Sequence, residues 1–311
     1  DDHKGDGRRF YTDGPRVHEY LQELVRDTGI EDMVTVGEMS STTLDNCIRY
    51  SRPEDRELSM CFNFHHLKVD YRDGDKWKLM EPDLVRLKQL FMEWQEGMER
   101  ENGWNAVFWC NHDQPRAISR FGDDGRYWKE SAKMLATVIH MFRGTPYVYQ
   151  GEELGMTNPH YVDISQYRDV ESINYYRILT EQGITGEEAL KVLAARSRDN
   201  GRAPRQGAAS RYAGFSQGEP WIGIPENHSY INAQAEAADS GSILNYYKRL
   251  IALRKEYKVI SEGEIEFIYR EHPQVLAYRR SCQGQELVVL ANMKASAADL
   301  GEKPEVEGYR R

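Results

Sequence analysis

Val34-Thr-Val-Gly-Glu38-Met39 and Phe108-Trp-Cys-Asn-His112-Asp113-Gln-Pro-Arg116 decide how this chain is read. Each is a short apolar run that ends abruptly in polar groups, with a carboxylate among them. Two more runs behave alike: Leu58 to Phe64 gives way to His65-His66, and Pro146 to Tyr149 gives way to Gln150-Gly-Glu152-Glu153. Apolar runs of this length, with little alternation, suit strands buried on both faces. The strands are read at Met33 to Val36, Leu58 to Phe64, Ala106 to Cys110 and Pro146 to Tyr149. Helical periods lie between them. Asp13-Gly-Pro15 has a capping residue and a first-turn proline, and Val17, Tyr20, Leu21, Leu24 and Val25 then follow one helix face. A second helix is expected from Pro82-Asp83 to Met98, with Leu84, Leu87, Leu90, Phe91 and Trp94 inward. A third is expected from Lys129 to Phe142.

Strands alternating with helices argue for parallel βαβ units. Polar groups gathered after each strand mark the chemical face of a β/α barrel or of an open doubly wound sheet. Four such strands are read where a closed barrel needs eight. The expected fold is therefore α/β, half of a (β/α)8 barrel. Beyond Gly155 come helical pieces, with Thr185 and Glu188 spaced as a capping box. Asn200 to Asn232 reads as a long loop, and a helix through Leu244, Tyr247 and Ile251 ends near Tyr257. Strands around Phe267–Tyr269, Val275–Tyr278 and Leu287–Ala291 change the pattern to antiparallel β. This divides the chain into a partial barrel, residues 1–258, and a small incomplete β domain, residues 259–311.

Composition narrows the function. The chain has 311 residues, 40% hydrophobic and 29% charged, as in globular proteins. A net charge of −9 argues against nucleic-acid or membrane-surface partners. No apolar run has transmembrane length. The opening Asp1-Asp-His-Lys-Gly-Asp-Gly-Arg-Arg9 lacks Met and reads like the inside of a longer protein. Cys47, Cys61, Cys110 and Cys282 show no paired spacing, so they are read as small buried hydrophobes in a reducing, cytoplasmic protein. No cofactor or metal site is expected.

Asn111-His112-Asp113 could gather on a sugar's hydroxyls, or could simply form a local Asx-turn. The glycine before Glu38 would allow close approach of a ligand. Taken in order, Gly37-Glu38-Met39, Asn111 to Arg116, Gly144-Thr-Pro-Tyr-Val-Tyr-Gln-Gly-Glu-Glu153 and Ser197-Arg198-Asp199-Asn200 resemble four segments of the α-amylase family of glycoside hydrolases. The resemblance covers nearly the whole chain and implies barrel strands 5 to 8. It also implies that Glu38 is the acid/base and Asp113 a third carboxylate gripping the glucose ring, with His112 and Arg198 on other hydroxyls. An acid/base carboxyl must hold its proton near neutral pH, so burial or a neighbouring carboxylate is expected at Glu38.

The finer pattern resembles the family's phospho-α-(1,1)-glucosidases. It lies in Gly5 to Arg16, Thr35 to Thr43, Phe62 to Tyr71 and Met156 to His160. Where the family's oligo-1,6-glucosidases usually carry acidic residues in the segment after the sixth strand, this chain has His65 and Lys68. Basic groups there suit an anionic sugar phosphate, with Lys68 and His65 expected to meet the phosphate and His66 expected to bind the substrate. The family's nucleophile segment, Phe-Arg-x-Asp, is absent from these 311 residues. Retaining hydrolysis needs two carboxyl groups roughly 5 Å apart, so the chain is expected not to turn over alone. Ala203-Pro-Arg-Gln-Gly207 stands where the family usually has Thr-Pro-Met-Gln-Trp. The exposed edges of a half barrel predict self-association. Two other functions compete: an oligo-1,6-glucosidase or broad α-glucosidase, and a non-catalytic sugar-binding or interaction module.

Overall fold

The computed structural model of the chain describes Gly7 and residues 10–301. The parts of the quoted motifs at Gly5, Asp6, Arg8 and Arg9, and the end of the β domain from residue 302 on, lie outside the described residues. Helix α1 (Val17–Thr28) starts later than its capping pattern implies, with Arg16 at the N-cap position and no side-chain cap. Asp13 instead accepts the hydroxyls of Thr42 (2.9 Å) and Tyr50 (2.7 Å), so its carboxylate ties α1's leader to the next unit. Strand β1 (Val36–Met39) is displaced toward Glu38 from the apolar stretch that announces it. Met33 and Val34 are 63% and 74% exposed.

Thr43 caps α2 (Leu44–Ser51), a helix without a clear signal in the sequence. β2 (Met60–Asn63) follows, and then α3 (Leu84–Arg100), capped by Asp83 through the Arg86 amide as its spacing implies. α3 buries Leu87, Leu90, Phe91 and Trp94. β3 (Ala106–Val107), α4 (Ala117–Phe121), α5 (Trp128–His140) and β4 (Thr145–Pro146) complete this part. β1 and β2 are parallel, with Glu38 opposite Phe62, and β3 and β4 are parallel, with Ala106 opposite Thr145. A parallel bridge between Cys61 and Asn105 joins the two pairs. The strand order is thus β1-β2-β3-β4, with every C-terminal end on one rim.

Helices α6 (Val170–Glu181) and α7 (Gly186–Arg196) pair beyond that rim, and Thr185 and Glu188 form the capping box at α7. The one-turn α8 (Asp199–Arg202) begins the stretch read as a loop. That stretch is pinned by side chains: Gln206 Nε2 donates to Asn227 Oδ1 at 3.0 Å, and the Tyr161 hydroxyl donates to the Gly223 carbonyl at 2.6 Å. α9 (Ala233–Ala238), α10 (Ile243–Glu256) and α11 (Lys258–Ser261) lead to β5 (Glu264–Ile268), β6 (Val275–Cys282) and β7 (Gln285–Asn292), an antiparallel sheet.

One core runs from the parallel strands through α3 and α5 to this second sheet. Phe91, Trp109, Phe142, Phe267 and Tyr278 are all buried in it. Burying one such side chain stabilises by about 1.5–3 kcal/mol. Tyr278 donates to the Val138 carbonyl at 2.8 Å, and Arg280 donates to the carbonyls of Met141 (2.6 Å) and Gly263 (2.6 Å), so buried polar groups are matched across the junction.

Gly144 links α5 to β4 at φ 125°, a conformation few L-residues adopt. A Cβ there would lie 2.5 Å from the Asn105 carbonyl oxygen, which accepts the Thr145 amide at 2.8 Å. Gly144→Ala is expected to destabilise the fold by about 3 kcal/mol, read from urea denaturation midpoints.

Candidate active site

Because the strands are parallel, Glu38 on β1 and the loop after β3 share one rim. Glu38 and its register partner Phe62 face the same side of the sheet. Gly37 faces the other, where a Cβ would meet Leu58 Cδ1 at 2.7 Å. Glu38 is exposed, so the burial expected for a proton-holding carboxyl is not supplied by the described residues.

After β3 the chain forms the Asx-turn that its sequence allowed: Asn111 Oδ1 accepts the Asp113 amide at 2.8 Å. This turn presents the Asp113 carboxylate to α8. Arg202 Nη2 lies 2.7 Å from Asp113 Oδ1, while its Nε donates to the His112 carbonyl at 3.0 Å. Arg198, at the N-cap of α8, stands 3.8 Å from the same Asp113 oxygen and 3.2 Å from Glu171 Oε2. Lys76 donates to that Glu171 oxygen at 2.8 Å. Burial pulls the Lys76 ammonium below its usual range, against the pull of Glu171. His112 is 62% exposed, with Nε2 at 3.8 Å from Asp113 Oδ2. The structure thus brings Asp113, His112 and Arg198 together, and adds Arg202, Glu171 and Lys76.

α8 is held from below. Asp199 is buried, and its Oδ2 accepts the amides of Arg168 (2.7 Å) and Asp169 (2.9 Å). Asp169 in turn caps α6 through the Ser172 amide.

Two of the residues expected at the substrate lie elsewhere. The turn after β2 directs both imidazoles into the layer between the sheet and α3. His66 is buried, its Nε2 is 2.9 Å from the Phe108 carbonyl, and burial pushes its pKa down to about 3. His65 lies against the Trp94 ring, 4.9 Å between centroids, and burial, with Lys68 and Arg86 nearby, lowers its pKa too. Both are packing residues that stay neutral at pH 7, so neither supplies a cation to an anionic ligand. Lys68, further along the turn, is exposed, and its Nζ donates to the Ser40 carbonyl at 3.3 Å, just past the end of β1.

Arg202 was legible in principle, since it follows Arg198 by one helical turn. Lys76 and Glu171 carry no local signal. In the segment that departs from the family pattern, Arg205 pairs with Glu153 at 2.6 Å. Among the described residues no cluster has the ligands for a metal ion, and no helix is long and apolar enough to cross a membrane.

Residues 1–263 match the alpha amylase catalytic domain, and the chain belongs to that family. It is 52% identical over 296 residues to the trehalose-6-phosphate hydrolase of Bacillus subtilis strain 168, covering 95% of this chain and 53% of that protein. It is 53% identical over 294 residues to the trehalose-6-phosphate hydrolase of Escherichia coli K12, covering 94% of this chain and 53% of that protein. The oligo-1,6-glucosidase of Parageobacillus thermoglucosidasius is 44% identical over 288 residues, covering 92% of this chain and 51% of that protein. A crystal structure of the Bacillus licheniformis trehalose-6-phosphate hydrolase superposes with a TM-score of 0.95 at 53% identity, covering 100% of this chain and 56% of that one. The chain spans about half the length of these relatives.

Beneath the rim, Glu152 is a buried carboxyl whose Oε1 accepts the Tyr247 hydroxyl at 2.8 Å and whose Oε2 has no partner among the described residues. Burial pushes its pKa up to about 7. The folded state therefore holds this proton more tightly than the unfolded chain does. Its contribution is full below the unfolded value and is lost as pH rises through about 7. Glu152→Gln is expected to gain stability relative to the parent chain between pH 5 and pH 8, by up to about 3 kcal/mol, measured by denaturation across that range.

Proposed function

We propose that this chain is the acid/base-bearing part of a retaining hydrolase acting on trehalose 6-phosphate and yielding glucose and glucose 6-phosphate. The observation that carries the reading is the shared rim: Glu38 on β1, Lys68 beside the end of β1, and Asp113 clamped by Arg202 after β3. Glu38 would give its proton to the glycosidic oxygen as a carboxylate from another segment attacks the anomeric carbon. It would then take a proton from the water that releases the sugar. Asp113, with Arg198, Arg202 and His112 around it, would hold the hydroxyls of the reacting glucose. Lys68 would meet the 6-phosphate as a point charge.

On this reading residues 1–258 are strands 5 to 8 of the barrel and residues from 259 on begin an appended β domain. The nucleophile comes from outside the 311 residues, and the chain does not turn over by itself. β1 and β4 then leave unpaired edges, which favour self-association. In size-exclusion chromatography the chain is expected to elute above monomer mass, and a clean monomer would overturn that part of the proposal.

The substrate is tested on the full-length parent. Lys68→Ala should lower kcat/KM on trehalose 6-phosphate by about tenfold or more and leave an uncharged aryl glucoside unaffected. An equal loss on both would remove Lys68 from the phosphate site. Isomaltose preferred over trehalose 6-phosphate would favour the oligo-1,6-glucosidase reading, which the 44% identity supports. A sugar-binding module would hydrolyse none of the three.

A further inference from the structure

We infer that Arg116 is the positioning residue of this rim: it fixes α8 against the Asx-turn and so sets the grip of Arg202 on Asp113. The inference rests on the reading of Asp113 as a sugar clamp only for its functional meaning, because the geometry is independent of it. A helix of one turn has almost no stability of its own, and its last carbonyls lack partners within it. The main-chain carbonyls of Asn200 in α8 and of Ala203 at its C-cap are taken by Arg116, from Nε at 3.2 Å and from Nη2 at 3.2 Å. The Gly201 carbonyl is taken by the Tyr149 hydroxyl at 3.0 Å.

The third guanidinium nitrogen, Nη1, donates to the Gln150 carbonyl in the turn after β4. The Arg116 amide donates to Asn158 Oδ1 at 2.9 Å, which fixes the backbone from which the side chain starts. Arg116 is 1% exposed, and its guanidinium carbon lies 5.3 Å from the Tyr149 ring centre. Among the described residues no carboxylate hydrogen-bonds it. All three guanidinium hydrogen bonds go to main chain, so the group orders backbone rather than pairing charge.

Asp113 lies three residues before Arg116, and Arg202 lies on the helix that Arg116 holds. The Arg202 contacts at Asp113 and the His112 carbonyl therefore close a ring whose far side is the Arg116 guanidinium. A lysine cannot replace it, since one ammonium cannot span three carbonyls in a plane.

The test reads Arg202 directly. In the 311-residue chain, hydrogen exchange of the Arg202 Nε–H, which faces the His112 carbonyl, is followed by NMR. Arg116→Lys is expected to accelerate exchange at least tenfold while circular dichroism stays native. In Arg116→Gly, added guanidinium ion is expected to restore the slow exchange. Wild-type protection of the Arg202 signal in folded Arg116→Lys would overturn the inference. Should Arg116→Lys fail to fold, Tyr149→Phe removes only the Gly201 bond and is expected to accelerate the same exchange severalfold. An unchanged signal there would count equally against it. No substrate enters these measurements, so a failure of the hydrolase reading in the parent's assays is separate from a failure here.

Discussion

The parallel register of β1 to β4 is the constraint on which the rest of this molecule depends. Parallel strands bring all their C-terminal ends to one side, and each return crosses the outer face as a helix. Groups as distant in sequence as Glu38, Asp113 and Gln150 therefore meet one rim. The cross-strand pairs are few, and β3 and β4 are very short. Packing supplies what the hydrogen bonds do not. Phe62 lies edge-on to Phe108 and Tyr147 on adjoining segments, at 5.1 Å and 4.6 Å, and α3 and α5 close the other face around Trp109.

The rim inverts the charge of the chain. The whole molecule carries a net charge of −9, yet around Asp113 the nearest partners are Arg198 and Arg202, with Lys76 one ion pair further out. Arg202 at 2.7 Å, with Arg198 at 3.8 Å from the same oxygen, holds the Asp113 carboxylate in place. The same arithmetic explains Arg205. It stands where the family usually has Met, and it ion-pairs with Glu153 at the end of the β4 turn, so the departure exchanges an apolar wall for an ion pair.

The strand ends were legible because a change from apolar to polar at a buried strand's end is a local property. Thr185 with Glu188 and Asp83 before α3 were legible for the same reason: a cap bonds to an amide a few residues away. Asp13 shows where that logic stops. Its sequence context is that of a cap, but the hydroxyls of Thr42 and Tyr50 compete for its carboxylate and win. His65 and His66 fail similarly. Two histidines after a strand look like ligands in a linear sequence, and only the turn they enter aims them into the aromatic layer under α3.

By itself the sequence determined the kind of most elements, the strand ends at which polar groups gather, and the family, and it singled out Glu38 and Asp113 as candidate carboxylates. Tertiary structure alone decided which groups touch them. Asp113 meets Arg202 across 89 residues, and Lys76 meets Glu171 across 95. No periodicity encodes such pairs. They follow from how α6 and α8 dock on the loops past the strands, and that docking is fixed by buried polar contacts to main chain, which any local pattern of residues leaves unspecified.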